Sequence, residues 1–512
     1  MRSLKNFAAA LAATCVLLPN TTFAAESLAL SLDQAVELAL KNNRLIEQST
    51  EEREAARWNL SAVRRSGGLM LSWSASSNRI GGRYYNGYRE NHSRYNWYYS
   101  YYYNMTGIKD SNYNPNKYPS YFYENANTIN LQMNLYSGGR LENQRKSARY
   151  NLNAADLTLE NSRQTVKYRA AAAYYQVLQS KNLVEVQEQA VKLLNEHLRT
   201  VQIQYEVGTV AKSDLLATSV QLSNVEQALT TAQGNYQTSV AQLNNVLGLP
   251  VDTEVATFTT DNITHYDLSE QECLDYAIKH RPDGKAAAYA VKSAEANTSA
   301  TKSGYRPTVS AVASGSIVGE GFMKSDHTAE RWSVGLQMQW NIFDNGVTGA
   351  QVNQSKAMER RAQSIALQQL ETIQLEVHSA YINLTTAEKN IATTAAAVSK
   401  AEEEFSIAQV RYIEGVDTNL NVMNAQEKVV QARNNYYTAL YAYNTSRAQL
   451  EKAMGVPVLI DAELYDKAAQ SGISANKSLE AAQISEQSDK LDTHTEILPL
   501  PFADTSENNS AE

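Results

Sequence analysis

Two hydrophobic patterns alternate along the chain. In Ile129–Leu135 (INLQMNL), apolar residues and amides fall on opposite faces, the period of two expected of a strand with one apolar and one polar side. Trp332–Ile342 (WSVGLQMQWNI) repeats the pattern, and Leu69–Ser76 and Val309–Ser314 read as their partners. Strands are therefore expected near 69–76, 126–135, 308–317 and 332–342. The second pattern is long, rich in Ala, Gln, Asn and Glu, free of Pro and almost free of Gly: Arg140–Tyr205 and Val347–Tyr412. It predicts two helices of about 100 Å each at ~1.5 Å per residue. Gly208 and Gly415 break them, and a second long helix then returns to stops at Gly248 and Gly455.

The two halves are copies. An offset of 207 residues, from Tyr205 to Tyr412, places Gly208 on Gly415, Gln242-Leu243 on Gln449-Leu450, Gly248 on Gly455 and Pro250 on Pro457 without a gap. It also places Asn134 on Asn341 and Gly139 on Gly346. Nearer the start, LSLDQAVELALKNN from Leu30 matches LSEQECLDYAIKHR from Leu268. Such tandem self-similarity reads as two structural repeats, 25–250 and 251–457.

Composition narrows the class. A net charge of −8 and a pI near 5.6 argue against general affinity for nucleic acid. Residues 1–24 read as a signal peptide: Arg2 and Lys5, an apolar run from Phe7 to Leu18, and a small-x-small site at Thr22-Phe23-Ala24. Its removal leaves Cys273 alone, so no internal disulfide is expected. No segment reaches 18 uninterrupted apolar residues, the signature of a spanning helix. Residues 458–512 are polar and acidic and read as a disordered tail.

Strands with one apolar and one polar face suit a soluble sheet on a core, or a membrane barrel with lipid outside and water within. The helices carry no strong apolar stripe to cover a sheet, which favours the barrel. Trp73, Trp332 and Trp340 suit the membrane interface. Four strands cannot close a barrel, which takes about eight, and open edges are not tolerated in lipid. Several chains must then share one barrel.

On NLYSGGR at Asn134–Arg140 against NIFDNGV at Asn341–Val347, the YEVGT and YIEGV turns, the exported N-terminus and the duplicated strand-strand-helix-helix order, the chain resembles the TolC-like outer-membrane efflux protein family. The resemblance implies a mainly α fold with a transmembrane β-barrel: a homotrimer, four strands per chain, continued by a long periplasmic α-helical barrel. It implies an outer-membrane exit duct extending into the periplasm, passing drugs, small toxic molecules or secreted polypeptides from an inner-membrane transporter, by way of a periplasmic adaptor, to the exterior. Outer-membrane lipid is a further implied partner; no cofactor, catalytic residue or nucleic acid is implied. By motif match, adaptor-contacting helix tips fall at Val207, Gly208 and Thr209 (hairpin tip near 205–214) and at Glu414, Gly415 and Val416 (tip near 412–424). In the family's best-studied member a Tyr, an Arg and two Asp close and line the entrance. Here Tyr412 keeps the Tyr, Asp417 replaces the Arg, and Asn421 and Asn424 replace the two Asp. Any acidic attraction at the entrance then falls to Asp417 or to Asp214 on the first tip.

The seven His are scattered without metal-ligand spacing, and no nucleophile or phosphate-binding motif occurs. The other reading is a periplasmic or surface coiled-coil scaffold, or an adhesin, with a Tyr-rich head. That head would be the stretch 81–125, expected as an external loop; 13 of the 31 tyrosines lie between Tyr84 and Tyr123. Phenol rings among Asn, Gly and Arg suit an exposed, adhesive surface better than a core strand.

Overall fold

The computed structural model describes residues 28–81, 121–258, 265–319 and 329–458. The expected signal peptide, most of the Tyr-rich loop (82–120), its second-half counterpart (320–328) and the tail from 459 lie outside them. Residues 1–456 form one unit and 457–512 a second.

In chain order the elements are β1 (Leu28–Leu30), α1 (Leu32–Asn42), α2 (Arg44–Arg65), β2 (Met70–Gly81), β3 (Tyr121–Tyr136), α3 (Arg140–Glu206) and α4 (Lys212–Leu247). The second half follows with β4 (Val255–Thr257), α5 (Glu270–His280), α6 (Pro282–Lys302), β5 (Thr308–Gly319), β6 (Ala329–Gln339), α7 (Val347–Ile413) and α8 (Asn419–Met454). The long helices have 67 residues each and the returning ones 36 each. β1 and β4 pair in parallel near the point where the two repeats meet.

Strands β2, β3, β5 and β6 form one antiparallel sheet in that order. Its register sorts the side chains. One face carries the row Trp73, Ile129, Gly315, Trp332 and the row Leu71, Leu131, Ala313, Val334. The other carries Ser72, Asn130, Ser314, Ser333. None of the described residues covers the apolar face: Trp332 is 80% exposed, and Val334, Leu336 and Met338 are nearly as bare. The last strand is as long as its alternation suggests but begins and ends three residues earlier, at Ala329–Gln339. At Trp340 the chain leaves the sheet, the indole donating to the Tyr305 carbonyl at 3.2 Å. Asp344 then takes the backbone N–H of Gly346 and Thr348 to start α7, so Trp340–Ile342 fall outside β6.

The helices pack in the same order as the strands. Near the sheet α2 lies on α3, α3 on α6 and α6 on α7; toward the tips α4 lies on α3, α3 on α8 and α8 on α7. Small residues carry many of these contacts, with hydroxyl pairs between helices: Ser49 with Ser162 at 2.7 Å, Ser147 with Ser293 at 2.9 Å and Ser180 with Ser239 at 2.9 Å. Ala and Ser let backbones approach closely, which explains a wall of helices without a strong apolar stripe. Two larger clusters lie at mid-length, one around Tyr174, Leu178, Leu243 and Leu247, the other around Ile373, Val377, Leu384, Tyr443 and Leu450.

The repeats share a joint at this level. Asn43, capping α2, donates through Nδ2 to the Val246 carbonyl at the end of α4 at 2.9 Å. Its counterpart Arg281, capping α6, reaches the Ala453 carbonyl at the end of α8 at 3.2 Å. Arg281 is buried, and its charge is met by Asp283 (2.6 Å) and Glu376 (2.6 Å). Burial tends to raise the Asp283 pKa, but hydrogen bonds and charge from Arg281 outweigh it and hold the carboxyl below its usual range. That stabilisation is present above the ordinary carboxyl pKa and is lost as pH falls through the lowered one.

Four helix ends close with the same left-handed glycine. At Gly248 and Gly455 (φ 71° and 74°), as at Gly208 and Gly415 (81° and 72°), the glycine N–H returns three residues and the next N–H five. The pairs differ in their surroundings. A Cβ on Gly248 would come within 2.9 Å of Asn42, and one on Gly455 within 2.9 Å of the Arg281 backbone, whereas at Gly208 and Gly415 it meets nothing within 4 Å. Gly208→Ala and Gly415→Ala should therefore each cost only the conformational strain of about 1–2 kcal/mol. Gly248→Ala and Gly455→Ala should lower the thermal midpoint of the purified protein by a clearly larger step, because backbone must also move. Equal shifts at all four sites would contradict the packed-joint assignment.

Candidate functional site: the hairpin tips

The hairpin tips are where the sequence places its candidate residues. Val207 closes α3 and is 69% exposed; Gly208 turns the chain, and Thr209 ties the turn by donating to the Gln204 carbonyl at 2.8 Å. Glu414, Gly415 and Val416 form the matching turn after α7. Both turns thus present exposed residues at the ends of paired helices.

The four second-half candidates separate onto two sides of the α7–α8 hairpin. Asp417, Asn421 and Asn424 share a groove of about 600 Å³ with Glu404, Ile407, Arg411 and Lys428. Asp417 is not a bare charge there. One carboxylate oxygen accepts from the Thr418 backbone N–H at 2.8 Å and from Asn421 Nδ2 at 2.5 Å, and the other lies 3.7 Å from Arg411. The Asn421 and Thr418 hydrogen bonds hold its pKa below the usual range. It remains charged, but its charge serves the start of α8. Asn421 is engaged by this bond, while Asn424 is exposed in the groove.

Tyr412 faces the opposite way. It is 5% exposed, packed with Val201, Ala408, Val422 and Ala425 in a small tip core. Its ring lies 5.2 Å from that of His197. Its hydroxyl is buried without a hydrogen-bond partner among the described residues. Burial, then the charge of Asp214, raises the phenol pKa. Asp214 stands half-buried in the first turn of α4, where its carbonyl accepts from Asn419 Nδ2 at 3.2 Å.

Sequence reasoning missed His197 and Asn419. His197 Nε2 lies 2.7 Å from Asn419 Oδ1, and Asn419 Nδ2 donates to Thr218 Oγ1 at 2.8 Å. All three are buried. The 222 residues between His197 and Asn419 leave no local spacing to detect, and the repeat offset pairs neither with a like residue. Among the described residues no cluster of His, Cys, Asp or Glu could hold a metal ion, and no helix is long and apolar enough to cross a membrane.

The sequence profile of the Outer membrane efflux protein family matches residues 35–249 and 273–456. The chain belongs to that family. The efflux protein is 26% identical to the outer membrane efflux protein BepC of Brucella suis over 341 residues, 64% of this chain and 73% of that protein. It is 22% identical to the outer membrane protein TolC of Escherichia coli over 358 residues, 68% of this chain and 72% of TolC. Its fold superposes on the outer membrane channel CmeC of Campylobacter jejuni with a TM-score of 0.69 at 17% identity, covering 87% of this chain and 90% of that one. This efflux protein is therefore an outer-membrane exit duct extending into the periplasm, in a family of channels rather than of enzymes.

The partnerless Tyr412 hydroxyl yields a test. Removing a buried donor that has no acceptor relieves a desolvation penalty of about 1–3 kcal/mol. Tyr412→Phe should leave the thermal midpoint unchanged or raise it. A fall in the midpoint would mean that the hydroxyl holds the tip through a bond absent here.

Proposed function

We propose that three copies of this efflux protein close one twelve-stranded barrel and one helical tunnel, through which an inner-membrane transporter and a periplasmic adaptor discharge solutes to the exterior. The observation that carries this reading is the repeated edge order. In the sheet β2 and β6 each lack one neighbour; near the sheet the outermost helices are α2 and α7, and toward the tips α4 and α7. Every layer thus ends in a first-repeat element on one side and a second-repeat element on the other. A copy can accept the next head to tail in all layers at once, and such a contact closes into a ring when its rotation completes a full turn. Exposed apolar side chains sit on these edge helices: Trp58 on α2 is 64% exposed and Leu375 on α7 65%.

The two faces of the sheet support the orientation. The row through Trp73 and Trp332 meets lipid, and the Ser- and Asn-bearing face lines water. The exposed tips, with Val207–Thr209 and Glu414–Val416, are the adaptor contact. The groove carrying Asp417, Asn421 and Asn424, together with Asp214 and Tyr412 behind it, forms the entrance. The names of relatives span solvent, toluene and antibiotic efflux and alkaline protease secretion, so the cargo is set by the pump and not by the duct.

Neighbouring positions on one strand test the reading. Leu336→Arg puts a charge on the lipid face, at a cost of about 2–4 kcal/mol near the bilayer midplane. It should abolish carbonate-resistant membrane insertion and channel conductance. Gln337→Arg, on the water-lined face, should insert and conduct with altered ion selectivity. Equal behaviour of the two variants, or release of the unaltered protein by carbonate, would refute the barrel.

A further inference from the structure

The two repeats impose a rule on helix contacts that a single chain satisfies only in part. An offset of 207 residues carries α3 onto α7, and one of 238, from Leu30 to Leu268, carries α2 onto α6. The second offset also places Asn43 on Arg281, and Met70 at the start of β2 on Thr308 at the start of β5. Contacts obey the same map. Thr301 on α6 meets Ser355 on α7 at 3.0 Å. The offsets return Val63 and Ala148, which continue the antiparallel register of Ser49 on Ser162 between α2 and α3. Between the repeats, α3 lies on α6, with Ser147 against Ser293 at 2.9 Å and the Tyr150 and Tyr289 rings stacked at 6.1 Å. The image of that joint falls on α7 and α2, which stand at opposite edges of the layer with α3 and α6 between them.

Burial shows the same gap. Ser293, Ala296 and Ala300 share one side of α6 and are buried, while their counterparts on α2, Ala55, Trp58 and Ala62, are exposed. On α3, Ser147 is buried and Tyr150 half-buried, whereas Gln354 and Ala357, their counterparts on α7, are exposed. We propose that α2 of one copy seats antiparallel on α7 of the next in the register of Ser293 on Ser147, with Ala55 opposite Gln354 and Trp58 packed over Ala350. Trp58 lies one turn nearer the sheet than Ala55, and Ala350 one turn nearer the sheet than Gln354, so the antiparallel register brings them together. A large side chain then fills the space over a small one, as knob packing requires. A half-exposed indole is also the kind of side chain that anchors an interface. Charge agrees with the register. Glu51, one turn farther from the sheet, falls beside Ala357, and exposed Arg361 stands on the next turn of α7. Opposite charges on the two edges steer them together and select this pairing over a slipped one.

This register rests on the reading that copies close a ring, and cysteine pairs separate the two. Hydroxyl oxygens 2.9 Å apart put Ser147 and Ser293 within disulfide reach. In the full-length protein, Ala55→Cys with Gln354→Cys should therefore join copies on mild oxidation; native Cys273 is buried. Non-reducing gels should show covalent dimers and trimers, and either single variant should stay one chain. Ser147→Cys with Ser293→Cys, the same joint within a chain, should lose its two introduced thiols without joining chains. A double variant that assembles like the native protein yet stays one chain, while that control closes, overturns the register. Capture of a different protein by the single Ala55→Cys variant overturns it as well. Native protein that is monomeric in mild detergent would instead sink the ring. Trp58→Ala should lower the temperature at which the assembly falls to single chains. Asn59→Ala, whose counterpart Asn297 stays exposed on α6, should not. Glu51→Arg should lower it too, and adding Arg361→Glu should restore it. Equal shifts for Trp58→Ala and Asn59→Ala, or no rescue by Arg361→Glu, overturn the proposed seat.

Discussion

Hydrocarbon does not hydrogen-bond, and this constraint governs everything else in the molecule. A backbone N–H or C=O left open in lipid costs several kcal/mol, so a sheet there must have no edge. Among the described residues the antiparallel sheet has four strands and two bare edges, and its apolar face has no cover. In the proposed assembly, copies of the chain resolve both problems together. The tandem duplication makes the resolution geometrically cheap, because first-repeat and second-repeat edges recur in the same order in the strands, in the helices beneath them and at the tips. One head-to-tail operation then serves the whole length.

The long helices follow from a second constraint. A wall of 67-residue rods cannot rely on one hydrophobic core, and its apolar clusters are spaced along it. Between them the register is kept by discrete polar joints. At mid-length these are Asn43 to the Val246 carbonyl and the Arg281–Asp283–Glu376 cluster at the Ala453 carbonyl. At the tips the joint is His197–Asn419–Thr218. The mid-length joint is backed by larger cores and a charge cluster, while the tip joint is neutral and thinly packed. Motion is therefore expected at the tips, with the mid-length level as its fixed base.

Much of this was legible in the sequence, for physical reasons. The strands declare themselves because the sheet has one apolar and one polar face, so INLQMNL and WSVGLQMQW alternate cleanly. The tips declare themselves because a left-handed turn needs Gly208 and Gly415. The C-terminal end of β6 differs from the expected one because Trp340 and Ile342 keep the alternation while Asp344 and Tyr305 draw the chain out of the sheet. Contacts between the hairpins were illegible. His197 and Asn419 meet across 222 residues, and Tyr412, carried over as an entrance residue by motif, turns into the core while Asp417, Asn421 and Asn424 face the groove. Sequence position fixes the turn of a helix on which a residue sits, but not which neighbour that turn meets.

The ring of three is the central claim, and its stoichiometry is the most direct thing to measure. Native mass spectrometry of the protein extracted from outer membranes in mild detergent should give one species of three processed chains, collapsing to single chains on boiling. A monomer that stays folded and membrane-inserted would contradict the account, because four strands would then be standing in lipid with both edges open.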